Sequence, residues 1–227
     1  MNGRDIEPRG TSYPLDRRGC QFYYKTKAEA LEEIFIADTY RFFADDLDPH
    51  TVLLDIGAYI GDTAVYFARQ KNVDFVYSYE PYEANYNELV KNVALAGVSS
   101  KVEASMLAIA ASESDLAENA KQSGVYYSVG NRNGRKVEYT TLKKELDRIR
   151  SKHQGNPIAI KCDIEGQEFK VFNNDLDLTG VARLAIEYHV LKGEPLIKLL
   201  TDKGYTVKTI YEREKTGMIY AFKKVHR

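Results

Sequence analysis

The chain has 227 residues, which is enough for one sizeable α/β core and a small accessory region. Its 32 lysine and arginine residues nearly balance its 33 aspartate and glutamate residues, so no overall basic field would attract nucleic acid, and we do not expect a nucleic-acid partner. No apolar run approaches the ~18 residues that span a bilayer, and the N-terminus lacks the apolar stretch of a signal peptide, so we expect a cytoplasmic protein without membrane contact.

A single domain is expected, with an N-terminal arm and helix in residues 1–45 and the core in residues 46–227. Residues 1–25 mix arginine, glycine, proline and tyrosine without clear periodicity, which is typical of an arm, a lid or a disordered tail. Thr26 and Glu29 match a capping box and predict a helix through about Ala44. The apolar stripe of this helix would contain Leu31, Ile34, Phe35 and Phe42.

A buried strand, a glycine turn and a helix are predicted within residues 52–67. The apolar run at residues 52–54 is typical of a parallel strand covered on both faces, and Asp55 would end this strand. Gly57 would permit the sharp turn and Gly61 the close packing of the helix. Free backbone N–H groups at such a turn can face a ligand.

An acidic residue, Glu80, ends the second predicted strand, VYSYEP. It follows Asp55 by 25 residues (80 − 55), close to the ~20-residue interval at which a second-strand carboxylate reaches ribose hydroxyls. This spacing predicts a site for a nucleoside-containing cofactor.

The turn DIGAYIG indicates which cofactor. A dinucleotide site needs G-x-G-x-x-G so that the diphosphate can contact bare backbone, whereas Ala58, Tyr59 and Ile60 stand between the two glycines here. S-adenosylmethionine carries no phosphate and tolerates this bulk, so it is the predicted cofactor. A nicotinamide or flavin dinucleotide, or a strand-turn-helix unit without a ligand, are the alternatives.

A helix is predicted from about Glu83 to Gly97, which would end it in the left-handed conformation. The third strand is expected within residues 101–110, where its end would pass the adenine ring. No acidic side chain there could contact the adenine amine, so the backbone of residues 105–108 is the predicted contact, including Leu107 and Ala108.

Residues 112–156 interrupt the alternation of strands and helices. The segments GVYYSV and RKVEYT flank the turn-rich GNRNG, which predicts a β-hairpin inserted before the fourth strand, at about residues 124–140. Tyr126, Tyr127 and Arg132 are candidates for the wall of the substrate pocket, and a surface hairpin that closes the sheet edge is the alternative. A short helix is predicted from Thr141 to Ile149.

The fourth and fifth predicted strands carry the candidate catalytic residues. The fourth strand, Ile158 to Cys162, would lie beside the first, and ligands bind in the crevice at the carboxyl ends of such strands. Asp163, Glu165, Glu187 and His189 follow the fourth strand (158–162) and the fifth (182–186). Asp163 is the candidate base and His189 the alternative base, and Glu165 and Glu187 are candidates to support them.

Other roles for these residues remain open. Lys161 shares the strand phase of Asp163 and could hold it ionised. Alternatively, Asp163 caps the following helix, Glu165 pairs with a lysine, and His189 is structural. Two carboxylates and the histidine could also hold a divalent ion, but we predict no metal site.

Three motifs together resemble a known family: DIGAYIGDT, YEPYEANYNELVKNVALAGV and IKCDIEGQEF. They are similar to the successive motifs of FkbM-type methyltransferases, a class I family that includes O-methyltransferases of macrolide and sugar hydroxyls. The similarity covers about residues 33–190, and Asp163-Ile164-Glu165-Gly166 is its most specific part. The family usually has Asn at the position of Tyr59.

This resemblance implies an α/β Rossmann-like fold, with a mostly parallel seven-stranded sheet and a C-terminal antiparallel hairpin formed by YTVKTIYEREKTGMIYAFKK. It implies O-methylation of a hydroxyl on a small molecule or sugar, with S-adenosyl-L-methionine as the cofactor. A tRNA methyltransferase, which the second motif also resembles, and an inactive cofactor-binding scaffold are the alternatives. The predicted cofactor-binding residues are Asp55, Gly57, Ala58, Tyr59, Gly61, Asp62, Glu80, Pro81, Leu107, Ala108 and Asp163.

Overall fold

A seven-stranded β-sheet forms the centre of the computed structural model, which describes residues 12–13, 20–21, 33–34, 38–112 and 137–223. In chain order, the described strands are β1 (Ser12–Tyr13), β2 (Cys20–Gln21), β3 (Thr51–Ile56), β4 (Val73–Tyr79), β5 (Val102–Ser105), β6 (Ala108–Ile109), β7 (Tyr139–Thr140), β8 (Ile158–Cys162), β9 (Val181–His189), β10 (Thr206–Glu212) and β11 (Thr216–Phe222). The described helices are α1 (Arg41–Asp45), α2 (Asp62–Ala68), α3 (Glu83–Leu95), α4 (Leu142–Lys152), α5 (Glu168–Val171) and α6 (Glu194–Asp202).

The order of the strands places a crevice at the centre of the sheet. The sheet runs β10-β11-β9-β8-β3-β4-β5, with β3 parallel to both β4 and β8, and β11 antiparallel to β9 and β10. The chain passes from β3 to β4 on one side and returns to β8 on the other, and this reversal opens a crevice at the carboxyl ends of β3 and β8. The predicted Rossmann-like fold with its C-terminal antiparallel hairpin is confirmed.

The core lies on both faces of the sheet, as the apolar runs predicted. All six residues of β3 are buried, and their side chains alternate between two apolar clusters. Leu53 joins the cluster that contains Phe67 of α2, and Leu54 joins the cluster that contains Leu146 of α4. The helix α4 begins after Thr141, whose hydroxyl oxygen accepts a hydrogen bond from Lys144 N at 3.3 Å.

The predicted helix through Ala44 is interrupted in the structure. Glu33 and Ile34 are helical, but Asp38 has φ 53°, and a new helix, α1, begins at Arg41. The break rotates the buried face, so that Phe42 is 80% exposed whereas Phe43 packs in the core. The predicted burial of Phe42 is therefore wrong, while Ile34 is buried as predicted. The capping box, Leu31 and Phe35 lie outside the described residues.

The third predicted strand divides into two. The strand β5 ends at Ser105, and β6 leaves the main sheet to pair in parallel with β7. Of the predicted hairpin at residues 124–140, the structure describes residues 137–140 and none of the proposed pocket residues Tyr126, Tyr127 and Arg132. In the part of the chain that the structure describes, no helix is long and apolar enough to cross a membrane.

The fifth strand of the parallel series is longer than predicted. The strand β9 continues to His189 because its pairing with β11 runs from Arg183 to His189, with Glu187 opposite Met218 and His189 opposite Thr216. Glu187 and His189 are therefore strand residues with fixed directions rather than members of a loop.

Candidate active site

The glycine turn after β3 packs directly on the backbone that follows β8. Gly57 has φ 77°, and a Cβ atom built at this position would lie 1.8 Å from Asp163 O. Gly57 N and Ala58 N both donate to Tyr79 O at 3.0 Å. Only glycine fits here, because both the left-handed backbone and the close approach exclude a side chain.

The second glycine and Tyr59 complete the turn. Gly61 has φ 85°, and a Cβ atom there would lie 3.0 Å from Leu89 Cα of α3, which confirms its predicted role in close helix packing. Tyr59 also has a positive φ, 45°, a conformation that Asn adopts more readily than Tyr. Its N–H is held by Glu80 Oε2 at 3.0 Å, and this bond stabilises the unusual conformation.

Glu80 follows β4 as predicted, but its side chain points into the protein. It is fully buried, and its other oxygen, Oε1, accepts a hydrogen bond from Tyr82 N at 2.9 Å. Burial raises the pKa of Glu80 to about 7, against the hydrogen bonds from Tyr82 and Tyr59, which lower it. Glu80 thus orders the turn and the start of α3, and its contact with a ribose stays a prediction.

Asp55 lies beneath the turn rather than in the crevice. Both of its carboxylate oxygens accept hydrogen bonds from Thr63 Oγ1, at 2.9 and 2.8 Å, and Lys161 Nζ lies 3.4 Å from Oδ1. Lys161 also donates to Gly57 O at 2.6 Å, so its main partners are on β3 and the turn. Its predicted pairing with Asp163 is secondary: burial raises the pKa of Asp163, and Lys161 and His189 partly oppose this shift. Asp62, the first residue of α2, is also buried, and its Oδ1 accepts a hydrogen bond from Thr63 N at 2.9 Å.

Some of the backbone groups that were predicted to contact adenine already form hydrogen bonds within the protein. Ser105 O accepts a hydrogen bond from Glu80 N at 3.1 Å, and Ala108 N donates to Glu138 O at 2.9 Å. Leu107 is half-buried against the core, and Pro81 is half-buried beside Glu80. Leu107 and Pro81 thus keep part of their surface exposed, as do the neighbouring Met106 and Tyr82, which are 41% and 39% exposed.

A buried carboxylate that was not predicted, Glu168, organises the Asp163-Ile164-Glu165-Gly166 loop. Its Oε1 accepts a hydrogen bond from Ile164 N at 3.1 Å, and its Oε2 accepts one from Gly166 N at 3.0 Å. Glu165 and Gly166 have positive φ values, 56° and 107°, which turn the chain tightly around this carboxylate. The motif IKCDIEGQEF contains Glu168, and its position in the first turn of α5 is a further sequence feature that could have indicated it.

His189 lies at the centre of four carboxylates. Its Nδ1 is 3.2 Å from Glu168 Oε1 and 3.9 Å from Asp163 Oδ1, and its Nε2 is 3.8 Å from both Glu165 Oε2 and Glu187 Oε1. We call these five residues the His189 cluster. The structure brings together all four predicted catalytic residues, and Asp163 is not the N-cap of α5, which is Gln167.

Charge and burial shift the protonation of the His189 cluster. Burial would lower the pKa of His189, but its hydrogen bond to Glu168 and the charges of Asp163 and Glu168 outweigh this effect and raise the pKa to about 9. Burial and the charge of Asp163 raise the pKa of Glu187 to about 7, although the Tyr211 hydroxyl donates to Glu187 Oε1 at 2.7 Å and lowers it. The cluster therefore has protonatable groups near neutral pH.

The residues around the crevice fit S-adenosylmethionine better than a dinucleotide. The Gly57 turn is closed against the backbone of Asp163, and Asp163 Oδ1 is buried without a hydrogen-bond partner. Lys161 is bonded to Gly57 O and paired with Asp55, so its charge is not directed at a diphosphate. A sulfonium cation suits a crevice whose edge is lined with carboxylates.

Comparisons with known proteins agree with this fit. The family described as "Methyltransferase FkbM domain" matches residues 55–207, about two thirds of the chain. A search of curated protein sequences finds no match.

Several solved structures resemble the chain at low sequence identity. A protein of the NADB-Rossmann superfamily from Streptococcus agalactiae is 17% identical, with TM-score 0.47, over 87% of this chain and 69% of that one. Precorrin-6y C5,15-methyltransferase from Geobacter metallireducens is 13% identical, with TM-score 0.49, over 87% and 94%. A putative tRNA (m1A22) methyltransferase from Streptococcus pneumoniae, in complex with S-adenosyl-L-methionine, is 17% identical, with TM-score 0.43, over 84% and 74%.

The family match spans the glycine turn, Glu80, the Asp163-Ile164-Glu165-Gly166 loop and His189, which are the parts that form the crevice and its edge. The chain belongs to the FkbM methyltransferase family, and it is an S-adenosylmethionine-dependent methyltransferase.

Proposed function

We propose that this methyltransferase methylates a hydroxyl group on a small molecule or sugar. The observation that carries this proposal is the His189 cluster, which gathers four carboxylates and an imidazole at the carboxyl ends of β8 and β9. A hydroxyl must lose its proton as it attacks a methyl group, and a positioned base typically contributes ~10²–10⁴-fold to such a step.

The roles of the residues follow from their positions. S-adenosylmethionine supplies an electrophilic methyl carbon when it is bound. Asp163, next to the Gly57 turn and with an unpartnered oxygen, holds the acceptor hydroxyl at the transfer centre. Glu168 fixes the ring of His189, and the carboxylates that face His189 Nε2, Glu165 and Glu187, take up the proton.

Electrostatics argue against RNA as the acceptor. The net charge of the chain is −1, and four of its carboxylates are gathered in the His189 cluster at the crevice. These charges repel the phosphate groups that dominate the binding of nucleic acids to proteins. The motifs also resemble those of a tRNA methyltransferase, which is the second candidate function. The experiment below distinguishes a tRNA acceptor from a small-molecule acceptor.

The test is a transfer assay with S-adenosylmethionine labelled at the methyl group. The purified protein is incubated with pools of sugars, natural-product alcohols and tRNA, and the label in each product fraction is counted. We expect label in a small-molecule fraction, released by neither acid nor base treatment, as an ether would be. Label only in tRNA would refute the proposed acceptor class, and label in no fraction would favour the scaffold alternative.

Two matched substitutions locate the chemistry. Asp163→Asn keeps the size of the side chain and removes the charge that holds the acceptor hydroxyl, so turnover should fall ~10²-fold or more while the fold persists. The control is Asp74→Asn, which alters an exposed His–carboxylate pair, His50 with Asp74, at the amino end of β4 and away from the crevice at the carboxyl ends. Equal turnover in the two variants would remove Asp163 from the transfer centre.

A further inference from the structure

Three potential metal ligands, Asp163, Glu168 and His189 itself, converge on the Nδ1 side of the His189 ring. The Nδ1 atom lies 3.2 Å from Glu168 Oε1 and 3.9 Å from Asp163 Oδ1, and the candidate ligand atoms of the three residues all lie within 4.8 Å of one another. Neighbouring ligands of an octahedral ion lie about 3 Å apart when each is ~2.1 Å from the metal. Small side-chain rotations would bring these atoms to that spacing.

Two further observations point to a missing partner at this face. Asp163 Oδ1 is buried and has no hydrogen-bond partner, although it is directed at His189. Glu168 is fully buried, and its oxygens already accept hydrogen bonds from Ile164 N and Gly166 N. Such outer bonds orient a carboxylate towards a metal ion and are a usual feature of metal sites.

The charge balance of the His189 cluster also favours a cation. Four carboxylates surround one imidazole, which supplies at most one positive charge. The nearby Lys161 is bonded to Gly57 O and paired with Asp55, which takes up its charge on the other side of the loop. Half-buried carboxylates in this excess are costly unless protons or a cation neutralise them.

We propose that Asp163, Glu168 and His189 Nδ1 bind one divalent cation of the manganese type. One imidazole nitrogen and two carboxylate oxygens suit Mn²⁺ and similar first-row ions better than Mg²⁺, which prefers oxygen ligands throughout. Glu187 is not one of these ligands, because the structure places it beside Nε2, on the other side of the ring.

The binding of the ion does not depend on the proposed function, but its role in activating an acceptor hydroxyl rests on that function. An ion held by three protein ligands keeps open positions, and an acceptor hydroxyl bound there would lose its proton more easily. The proton would pass to Glu165 or Glu187, which face Nε2 and remain outside the metal site. The substrate class this favours is a small molecule with an accessible hydroxyl or a vicinal diol.

The test measures binding of Mn²⁺ alone, without cofactor or acceptor. Protein treated with chelator and desalted is titrated with MnCl₂, and the electron paramagnetic resonance signal of free Mn²⁺ gives the bound fraction. We expect saturation at one ion per chain. His189→Gln and Asp163→Asn should each weaken binding at least ~10-fold, since even the loss of an outer partner costs ~10–100-fold.

The control is His50→Gln, which removes a histidine with its own carboxylate neighbour, Asp74 Oδ2 at 3.1 Å from Nδ1. This variant should bind Mn²⁺ as the wild type does. Circular dichroism establishes whether each variant is folded. If His189→Gln does not fold, the loss of Mn²⁺ binding is tested with Asp163→Asn alone.

Absence of saturable binding, or equal affinity in all variants, would overturn the metal site. Methyl transfer that persists in chelator would overturn the ion's role in the reaction, and would leave the proposed function intact.

Discussion

Replacing Gly57 by alanine should destabilise the protein far more than replacing another left-handed glycine. The new Cβ atom would lie 1.8 Å from Asp163 O, and atoms in this relation are essentially never closer than 3.0 Å, so the two segments must separate by about 1.2 Å (3.0 − 1.8). This movement would break the hydrogen bond from Asp163 N to Ile56 O, now 3.0 Å, and the bond from Lys161 Nζ to Gly57 O.

The magnitude follows from these losses. Left-handed backbone costs alanine ~1–2 kcal/mol, and each buried group left without a partner costs ~1–3 kcal/mol. Gly57→Ala should therefore lower the free energy of unfolding by at least ~3 kcal/mol. The matched control is Gly97→Ala, with φ 69° and no atom within 4 Å of the new Cβ, which should cost only the backbone term of ~1–2 kcal/mol.

Urea denaturation, followed by circular dichroism, measures both variants. The effect of alanine on the unfolded chain is common to both and cancels in the comparison. Equal destabilisation of the two variants, within ~0.5 kcal/mol, would refute the reasoning that the turn is closed against the backbone of Asp163.

Two other predictions concern buried charges. Lys161→Met should lower the free energy of unfolding by ~3–5 kcal/mol because it leaves Asp55 buried without its cation, and the added change Asp55→Asn should restore part of this loss in a double-mutant cycle. A loss that the second change does not reduce would contradict the pairing. The pKa of Glu80 is raised from 4.5 to about 7, so the folded state favours its neutral form. As the pH rises from about 4.5 to about 7, the free energy of unfolding of the wild type should therefore fall by ~3 kcal/mol relative to that of Glu80→Gln. Parallel stability profiles of the two proteins over this range would show that Glu80 does not titrate as inferred.

The fold could be predicted because its signals are local. The apolar run of β3, the glycines of the turn, the left-handed Gly97 after α3 and the two alternating segments of the final hairpin each specify structure within a few residues. The break before α1 could not be predicted, because Asp38 rather than glycine or proline adopts the left-handed conformation. As a result, the buried aromatic residue is Phe43, one position after Phe42.

The candidate site was predictable only in part, since its contacts connect distant segments. Strand phase related Lys161 to Asp163, but the parallel register of β3 with β8 sets Lys161 beside Asp55 on the neighbouring strand. The role of Glu168 depends on His189, which is 21 residues later and reaches it through the pairing of β8 with β9. A single sequence carries no signal for such a contact across strands.

The most direct test of the central claim is a crystal structure of the protein with S-adenosylhomocysteine, the demethylated cofactor. We predict that the product lies in the crevice at the carboxyl ends of β3 and β8, with its amino acid tail over the Gly57 turn and its sulfur facing Asp163. Product bound elsewhere, or bound in the crevice with its sulfur directed away from Asp163 and His189, would contradict the account.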